Sequence, residues 1–295
     1  MNLREDIEAL PSSVESELQR HLTGIMNQSS LFYRIFVRCK SADSAEKKIR
    51  IKGYDDTKKM QDLYGARIAL YFKDDIAICR KILEQNYEVI DLSEDKEEEA
   101  VFAPTRLNYV CKLPKTIKND IIKDFWVKYP IDDTFEIQIR TIFSEGWHEV
   151  EHDLRYKCKK DWEQEQEMSR ALNGIFATLE TCNWSIISLF DKLAYKNYQN
   201  HNWEAMIRDK LRIRIKESSI SEEVKKVFDD NSDTAKKFYR LNREEIITNF
   251  VSAQLSSVPK TFDNVIFILN ILFVKDPQID VFTPPIIKRK CNMSI

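Results

Sequence analysis

Glycine is almost missing from this chain, at five residues in 295. That scarcity excludes the glycine-rich cradles that wrap phosphates in bare backbone, and neither a P-loop pattern nor GxGxxG occurs. Paired cysteines are absent too: Cys39, Cys79, Cys111, Cys158, Cys182 and Cys291 stand without CxxC spacing, so they read as reduced, buried or incidental thiols of an intracellular protein. Neither sign of charge dominates. With 46 Lys and Arg against 48 Asp and Glu the net charge is -2, so there is no global pull toward nucleic acid or an anionic membrane, and any basic site must be local. No run is long enough to span a bilayer: the longest apolar stretch, 265–274, is interrupted by Asn270. The opening MNLRED lacks the apolar core of a signal peptide. The expectation is a soluble, cytoplasmic protein with no membrane partner.

Hydrophobic residues make up 43% and charged residues 32%, which suits a globular chain with one large domain or two modest ones. The stretch FEIQIRT at 135–141 organises the rest. Phe135, Ile137 and Ile139 alternate with Glu136, Gln138 and Arg140, which predicts a half-buried strand. Its polar face carries a carboxylate, an amide and a guanidinium in register, with Asp132 and Asp133 just before. Such a face can hold a metal ion, take a proton and grip a phosphate, although a solvated strand face has the same pattern.

Upstream, Ser12 or Ser13 can cap a helix to about residue 28 with Val14, Leu18, Leu22 and Ile25 on one stripe; His21 is expected at its surface or boundary. Strands are predicted over 31–39, 64–72, 87–92 and 107–113, with a helix from Asp74 or Asp75 whose stripe is Ile76, Cys79, Ile82 and Leu83. An acidic run at 93–100 reads as a solvent loop, and 114–130 as a proline-bounded helical or irregular insert. After Thr141 every segment reads as helix: 144–157, 161–196 with Leu172, Ile175, Phe176, Leu179 and Cys182 as its stripe, 203–215, 221–228, 234–250 and 259–274, then a frayed basic tail around Lys288, Arg289 and Lys290. The fold class is therefore α/β: a mixed-sheet, nucleotidyltransferase-like domain over 1–160, followed by a helical region over 161–295.

Two local patterns carry chemistry. The end of the first strand and the start of the next helix bring Arg38, Lys40, Ser44 and Lys48 together, because Arg38 and Lys40 share a strand face and Ser44 and Lys48 lie one helical turn apart. Three cations and a hydroxyl can clamp a polyphosphate without a glycine loop, and an ordinary charged helix start looks the same. The second pattern, His148-Glu149-Val150-Glu151-His152, is a literal HExxH, which on a helix suits a zinc protease with Glu149 as base. It needs a third ligand, and with only His21 and His201 left as histidines a carboxylate such as Glu180 would have to serve.

The surroundings of that pattern resemble something else. Glu136-Ile137-Gln138-Ile139-Arg140-Thr141, Trp147 and Glu151-His152-Asp153-Leu154-Arg155-Tyr156-Lys157, together with Arg38, Lys40, Ser44, Lys48, Asp62 and Arg67 in order and spacing, are similar to the RelA/SpoT synthetase domain family over roughly residues 31–157. The resemblance implies an ATP-dependent pyrophosphokinase that moves pyrophosphate from ATP to the 3′ hydroxyl of a guanine nucleotide, with Mg²⁺ as cofactor. No metal-dependent hydrolase pattern precedes it, so a small stand-alone synthetase relative is expected. By resemblance, Asp62 and Glu136 would bind magnesium, Glu136 would also be the base, and Lys40, Ser44 and Lys48 would hold the ATP phosphates. Arg38 and Arg67 would sandwich adenine, and Gln138 would face the acceptor.

One stretch departs from the pattern. Where the family's acceptor loop has Gly-Tyr-Arg-Ser-x-His, with a tyrosine that stacks on guanine, this chain has Pro104-Thr105-Arg106-Leu107-Asn108-Tyr109. Arg106 is retained, Thr105 replaces the stacking tyrosine, and Tyr109 stands at the histidine. An ideal strand puts Tyr109 on the face of Leu107 and Thr105, so Tyr109 is expected to reach the acceptor, with Phe102 the other nearby aromatic. The acceptor would be GDP or GTP, another nucleotide, or the 3′ end of an RNA such as tRNA, as in toxic members of the family. A degenerate, nucleotide-binding sensor and the zinc protease are the alternatives, and homo-oligomerisation is compatible with each.

Overall fold

A computed structural model describes residues 3–10, 12–95, 107–117, 120–216, 218–253 and 255–292. Phe102, Thr105 and Arg106, and part of the acidic run, lie outside them. In chain order the elements are α1 (Leu3–Glu8), α2 (Ser13–Ser29), β1 (Tyr33–Cys39), α3 (Ala42–Lys52), β2 (Tyr64–Leu70), α4 (Asp75–Asn86), β3 (Val89–Glu94), β4 (Leu107–Lys112), α5 (Asp120–Lys128), β5 (Thr134–Thr141), α6 (Ile142–Glu151), α7 (Lys159–Trp162) and α8 (Gln166–Gln199). Then come α9 (Trp203–Leu211), α10 (Glu222–Asp230), α11 (Ser232–Arg240), α12 (Arg243–Ser252), α13 (Phe262–Leu269), α14 (Pro277–Phe282) and α15 (Pro285–Asn292). Among the described residues no helix is long and apolar enough to cross a membrane.

The chain forms two compact units. The first takes Met1–Gly24, Tyr33–Tyr71 and Leu83–Thr181, and it holds the whole five-stranded sheet, in the order β1-β2-β5-β4-β3. β2 and β5 run parallel while the other neighbours are antiparallel, so the sheet is mixed, as expected. Period-two alternation decides the faces. Ala66, Ile68, Tyr109, Cys111, Phe135, Ile137 and Ile139 are buried, and Val14, Leu18 and Leu22 of α2 are buried with them. Tyr87 ties helix to sheet: its ring packs on both His21 and Phe135, and its hydroxyl lies 2.7 Å from His21 Nδ1. Burial pulls the His21 imidazole below its usual range. At the end of β5 the Thr141 hydroxyl accepts from the Ser144 amide at 3.2 Å, so α6 begins two residues before the expected start.

The second unit takes Ile25–Phe32, Phe72–Ile82 and Cys182–Ile295. The division therefore falls inside α8 rather than at residue 160, and this unit draws two segments from the N-terminal half. Side-chain caps punctuate its short helices: Asn202, Asn231, Asn242, Thr261 and Asp276 each accept from backbone amides of the first turn. Asn242 explains a difference from the expected single helix over 234–250. Leu241 leaves helical geometry at ψ 142, Asn242 caps the Glu245 amide at 3.0 Å, and two helices form. The expected frayed tail is also ordered, because α15 buries Ile287 and Cys291. A buried ionic cluster joins Asp74 and Asp75 at the start of α4 to Arg212 and Arg243. Arg243 Nη1 lies 2.5 Å from Asp75 and 3.4 Å from Asp74, and Arg212 Nη2 bonds Asp74. All six cysteines are free thiols.

Candidate active site

Strand pairing assembles the site on the outward face of the sheet in the first unit. One row across the strands reads Arg38, Gly65, Glu136 and Val110, and the next reads Phe36, Arg67, Gln138 and Asn108. Residues paired in this way project on the same side of a sheet. A cleft lies over these rows, lined by Phe36, Arg38, Lys40, Asp62, Gly65, Arg67, Glu136 and Gln138, among others.

Asp62 reaches the cleft from the segment before β2. That segment is pinned to the strand entering β5: Met60 and Ile131 form a parallel bridge, and the Thr134 hydroxyl donates to the Gln61 carbonyl at 2.9 Å. The Lys40 amide holds the other side, donating to the Leu63 carbonyl at 2.7 Å. Lys48 Nζ then sits 2.6 Å and Lys40 Nζ 3.3 Å from Asp62 Oδ2. Burial alone would push the Asp62 carboxyl up, but Lys48 and Lys40 outweigh it and hold it below the usual carboxylate range. Ser44 is exposed in the first turn of α3, where its hydroxyl accepts from Ser41 at 2.8 Å, and Arg38 is exposed on β1. Arg38, Lys40, Asp62, Arg67, Glu136 and Gln138 thus line one cleft; Lys48 joins them through Asp62, and Ser44 stands one turn from Lys48.

Glu136 is gripped at both oxygens. Asn108 Nδ2 donates to Oε1 at 2.8 Å and Gln138 Nε2 to Oε2 at 3.1 Å. A carboxylate can only accept, so it turns both amide NH₂ groups toward itself. Gln138 Oε1 in turn accepts from Arg67 Nε at 3.1 Å, and Arg67 Nη1 bonds Glu145 at 2.9 Å and also Glu149. Burial would lower the Arg67 guanidinium, but Glu145 and Glu149 raise it further than burial lowers it.

The residues present fit a magnesium ion. Asp62 and Glu136 are two hard oxygen donors in one cleft, and Asp62 Oδ1 is buried with no hydrogen-bond partner among the described residues. Mg²⁺ typically uses one or two protein carboxylates and completes its shell with substrate phosphates and water. The HExxH segment has other occupations. Glu149 bonds Arg67, and His152 Nδ1 lies 2.9 Å from Asp153 while its ring stacks on Tyr156. Among the described residues no group of three or more His, Cys, Asp or Glu is placed to hold a metal.

Tyr109 requires a correction. It pairs with Ile137, not with Glu136 or Gln138, so it faces inward; it is fully buried, and its hydroxyl donates to Glu84 at 2.8 Å. It cannot reach the cleft. The residue that β4 turns toward Glu136 is Asn108, which the sequence reading passed over. The alternation of Leu107, Tyr109, Cys111 and Leu113 against Asn108, Val110 and Lys112 carried that signal. Phe36 also lines the cleft.

Fold and site define a class: a mixed α/β domain whose cleft sets lysines and arginines against two carboxylates. The family is specified by comparison. Residues 37–161 match the model described as the region found in RelA / SpoT proteins. No curated protein sequence matches the chain. Among solved structures, it is similar to the small alarmone synthetase 1 from Bacillus subtilis bound to its product pppGpp, at 21% identity over 60% of this chain and 91% of that one, with a TM-score of 0.45. It is also similar to the small alarmone synthetase 2 from Bacillus subtilis (18% identity, 60% of this chain and 92% of that one, TM-score 0.46). A GTP pyrophosphokinase family protein from Streptococcus pneumoniae gives 19% identity over 59% of this chain and 85% of that one, with a TM-score of 0.44.

Proposed function

We propose that the first unit is an ATP-dependent pyrophosphokinase of the RelA/SpoT type, acting on the 3′ hydroxyl of a guanine nucleotide. The observation that carries this function is the cleft itself, in a segment matching the RelA/SpoT model: Lys40 and Lys48 converge on Asp62 while Glu136 is oriented beside them by Asn108 and Gln138. Lys40 and Lys48, with Ser44 at the rim, are the groups to bind the triphosphate, and Arg38 and Arg67 those to hold the adenine between them; Asp62 and Glu136 would hold Mg²⁺. When bound, the ion would neutralise phosphate charge during in-line displacement.

Lys40 and Lys48, each paired with Asp62, lie within reach of the donor's phosphate oxygens and would turn to them when the triphosphate binds. Glu136 takes the proton from the acceptor's 3′ hydroxyl as its oxygen bonds the β-phosphorus of ATP; the bridge from the α-phosphate to the β-phosphorus breaks, and AMP leaves with the bonding electron pair. The two amides keep Glu136 from rotating away, so orientation is set before substrate arrives.

The test is AMP release from labelled ATP and Mg²⁺ with GDP, GTP or tRNA as acceptor, and mass analysis of the product. Transfer to a guanine nucleotide is expected, and Glu136→Gln should lower turnover by about 10²–10⁴-fold while ATP binding stays within a few-fold. Transfer to tRNA alone would reassign the acceptor. Nucleotide binding without AMP release from any acceptor would make the protein a sensor and refute the enzymatic function.

A further inference from the structure

The long helix α8 repeats its apolar residues at a spacing that its own packing does not use. Met168, Leu172, Ile175, Leu179, Cys182, Ile186, Leu189 and Leu193 follow one another at alternating intervals of four and three, without a break. A helix that serves a globular core keeps close to a 3.6-residue period and buries its stripe. An unbroken 3.5-residue repeat of this length is the pattern of a helix paired with another along a seam. The structure separates seam from core. Turned inward are Phe176, whose ring lies 4.7 Å from that of Trp147, Phe190, 5.7 Å from the ring of Phe72, and the buried Ala194. Of the five residues expected to form the inward stripe, Leu172, Ile175, Phe176, Leu179 and Cys182, only Phe176 is buried. The seam lies on the flank: Met168 is 52%, Ile175 55% and Leu189 58% exposed, Leu193 is exposed too, and the other four are half-buried.

Apolar residues exposed singly need no explanation, but a continuous row marks an interaction surface. Beside the seam, on the side turned to solvent, Ala171, Thr178 and Ser185 recur every seven residues, short and uncharged, so another helix can come close. The charges say what covers the row. Between Ala171 and Asp191 the helix has no lysine or arginine, whereas a helix seated on a membrane surface is rich in them along its polar face. The two ends are opposite in sign. Asp161, Glu163, Glu165 and Glu167 lead into the seam, and Lys192 and Lys196 close it, all of them exposed. A second α8 laid antiparallel would meet acid with base at both ends; laid parallel, it would set like charge against like. The antiparallel arrangement also suits two-fold symmetry, in which one patch covers its own copy. Its centre falls between Leu179 and Cys182, so that Met168 faces Leu193 of the second copy, Leu172 faces Leu189, and Ile175 faces Ile186.

We propose that this flank of α8 is the interface of a homodimer, in which a second copy of the chain lays its own α8 antiparallel along residues 168–193, a length of about 38 Å at 1.5 Å per residue. The apolar seam supplies the burial, and the acidic and basic ends fix direction and register. The interface is independent of the proposed activity, since none of its residues lines the cleft.

The test is sedimentation equilibrium of the full chain across the micromolar range. The parent should sediment as a dimer. Ile175→Glu combined with Leu189→Glu should raise the dimer Kd by at least about 100-fold, because each dimer would then bury four unpaired carboxylates. The far-ultraviolet circular dichroism of that variant should match the parent, since both side chains are more than half exposed. A second pair of variants tests direction and leaves the apolar seam intact. Lys192→Glu with Lys196→Glu should weaken the dimer by about tenfold, and adding Glu165→Lys with Glu167→Lys should restore the parent's affinity. A parent that stays monomeric would overturn the interface and leave the seam to a different protein. A dimer that survives the two seam substitutions would also overturn it, by placing self-association elsewhere. Charge reversal at the lysines without loss, or a loss that the compensating reversal fails to restore, would overturn the antiparallel arrangement.

Discussion

Replacing Asp75 by Asn should change how stability depends on pH, and the size of the change can be worked from the structure. Asp75 is fully buried at the start of α4. Burial pushes its carboxyl up from 3.8 to about 6; Arg243, at 2.5 Å, offsets part of this, Asp74 adds to it, and Arg212 opposes it. The folded state therefore keeps a proton that the unfolded chain releases between those two values. The stabilisation from that proton is fully present below 3.8 and is lost as pH rises through 6. At about 1.4 kcal/mol per pH unit, the rise amounts to roughly 3 kcal/mol. Asp62, whose carboxyl is lowered by Lys48 and Lys40 against burial, acts in the opposite sense and loses its contribution as pH falls. The measurement must therefore be a difference. Urea unfolding of the parent and of Asp75→Asn, at intervals from pH 4 to 7, should show the parent losing about 3 kcal/mol relative to the variant as pH rises, with the difference levelling off above about pH 6.5. Parallel curves across that range would refute the buried, proton-binding assignment of Asp75.

Two further outcomes test the site. Gly65→Val should fold as stably as the parent, because a Cβ there meets nothing within 4 Å and its backbone is not left-handed, yet it should weaken α,β-methylene ATP binding by at least about tenfold by filling the cleft floor. Intact nucleotide affinity in that variant would place the nucleotide elsewhere. Tyr109→Phe removes the hydrogen bond to Glu84, so it should cost about 1 kcal/mol in chemical denaturation. Its acceptor kinetics should be unchanged, and a raised acceptor KM would contradict the inward orientation of Tyr109.

Alternation along single segments was legible from residue identities alone. Phe135, Ile137 and Ile139 inward with Glu136, Gln138 and Arg140 outward followed from the period of a strand, and Val14, Leu18, Leu22 and Ile25 followed from the period of a helix. These patterns are local, because burial of one face needs only the chain's own repeat. The set Arg38, Lys40, Ser44, Lys48, Asp62, Arg67, Glu136 and Gln138 was assembled from chemistry and family likeness, and most of it shares one cleft. Which partner each side chain takes was not legible. β2 lies parallel to β5, and that non-local pairing sets Gly65 beside Glu136 and Arg67 beside Gln138. Glu145 and Glu149 look like exposed helix charges until α6 brings them to Arg67. Tyr109 shows the limit most sharply: the apolar parity of β4 was countable, but that β4 lies beside β5, with Tyr109 against Ile137 and Asn108 against Gln138, was decided by strand pairing. The split of α8 between two units, and the return of 25–32 and 72–82 to the second, likewise have no local signature. They depend on which apolar faces meet, and a chain's own repeat does not encode its neighbour.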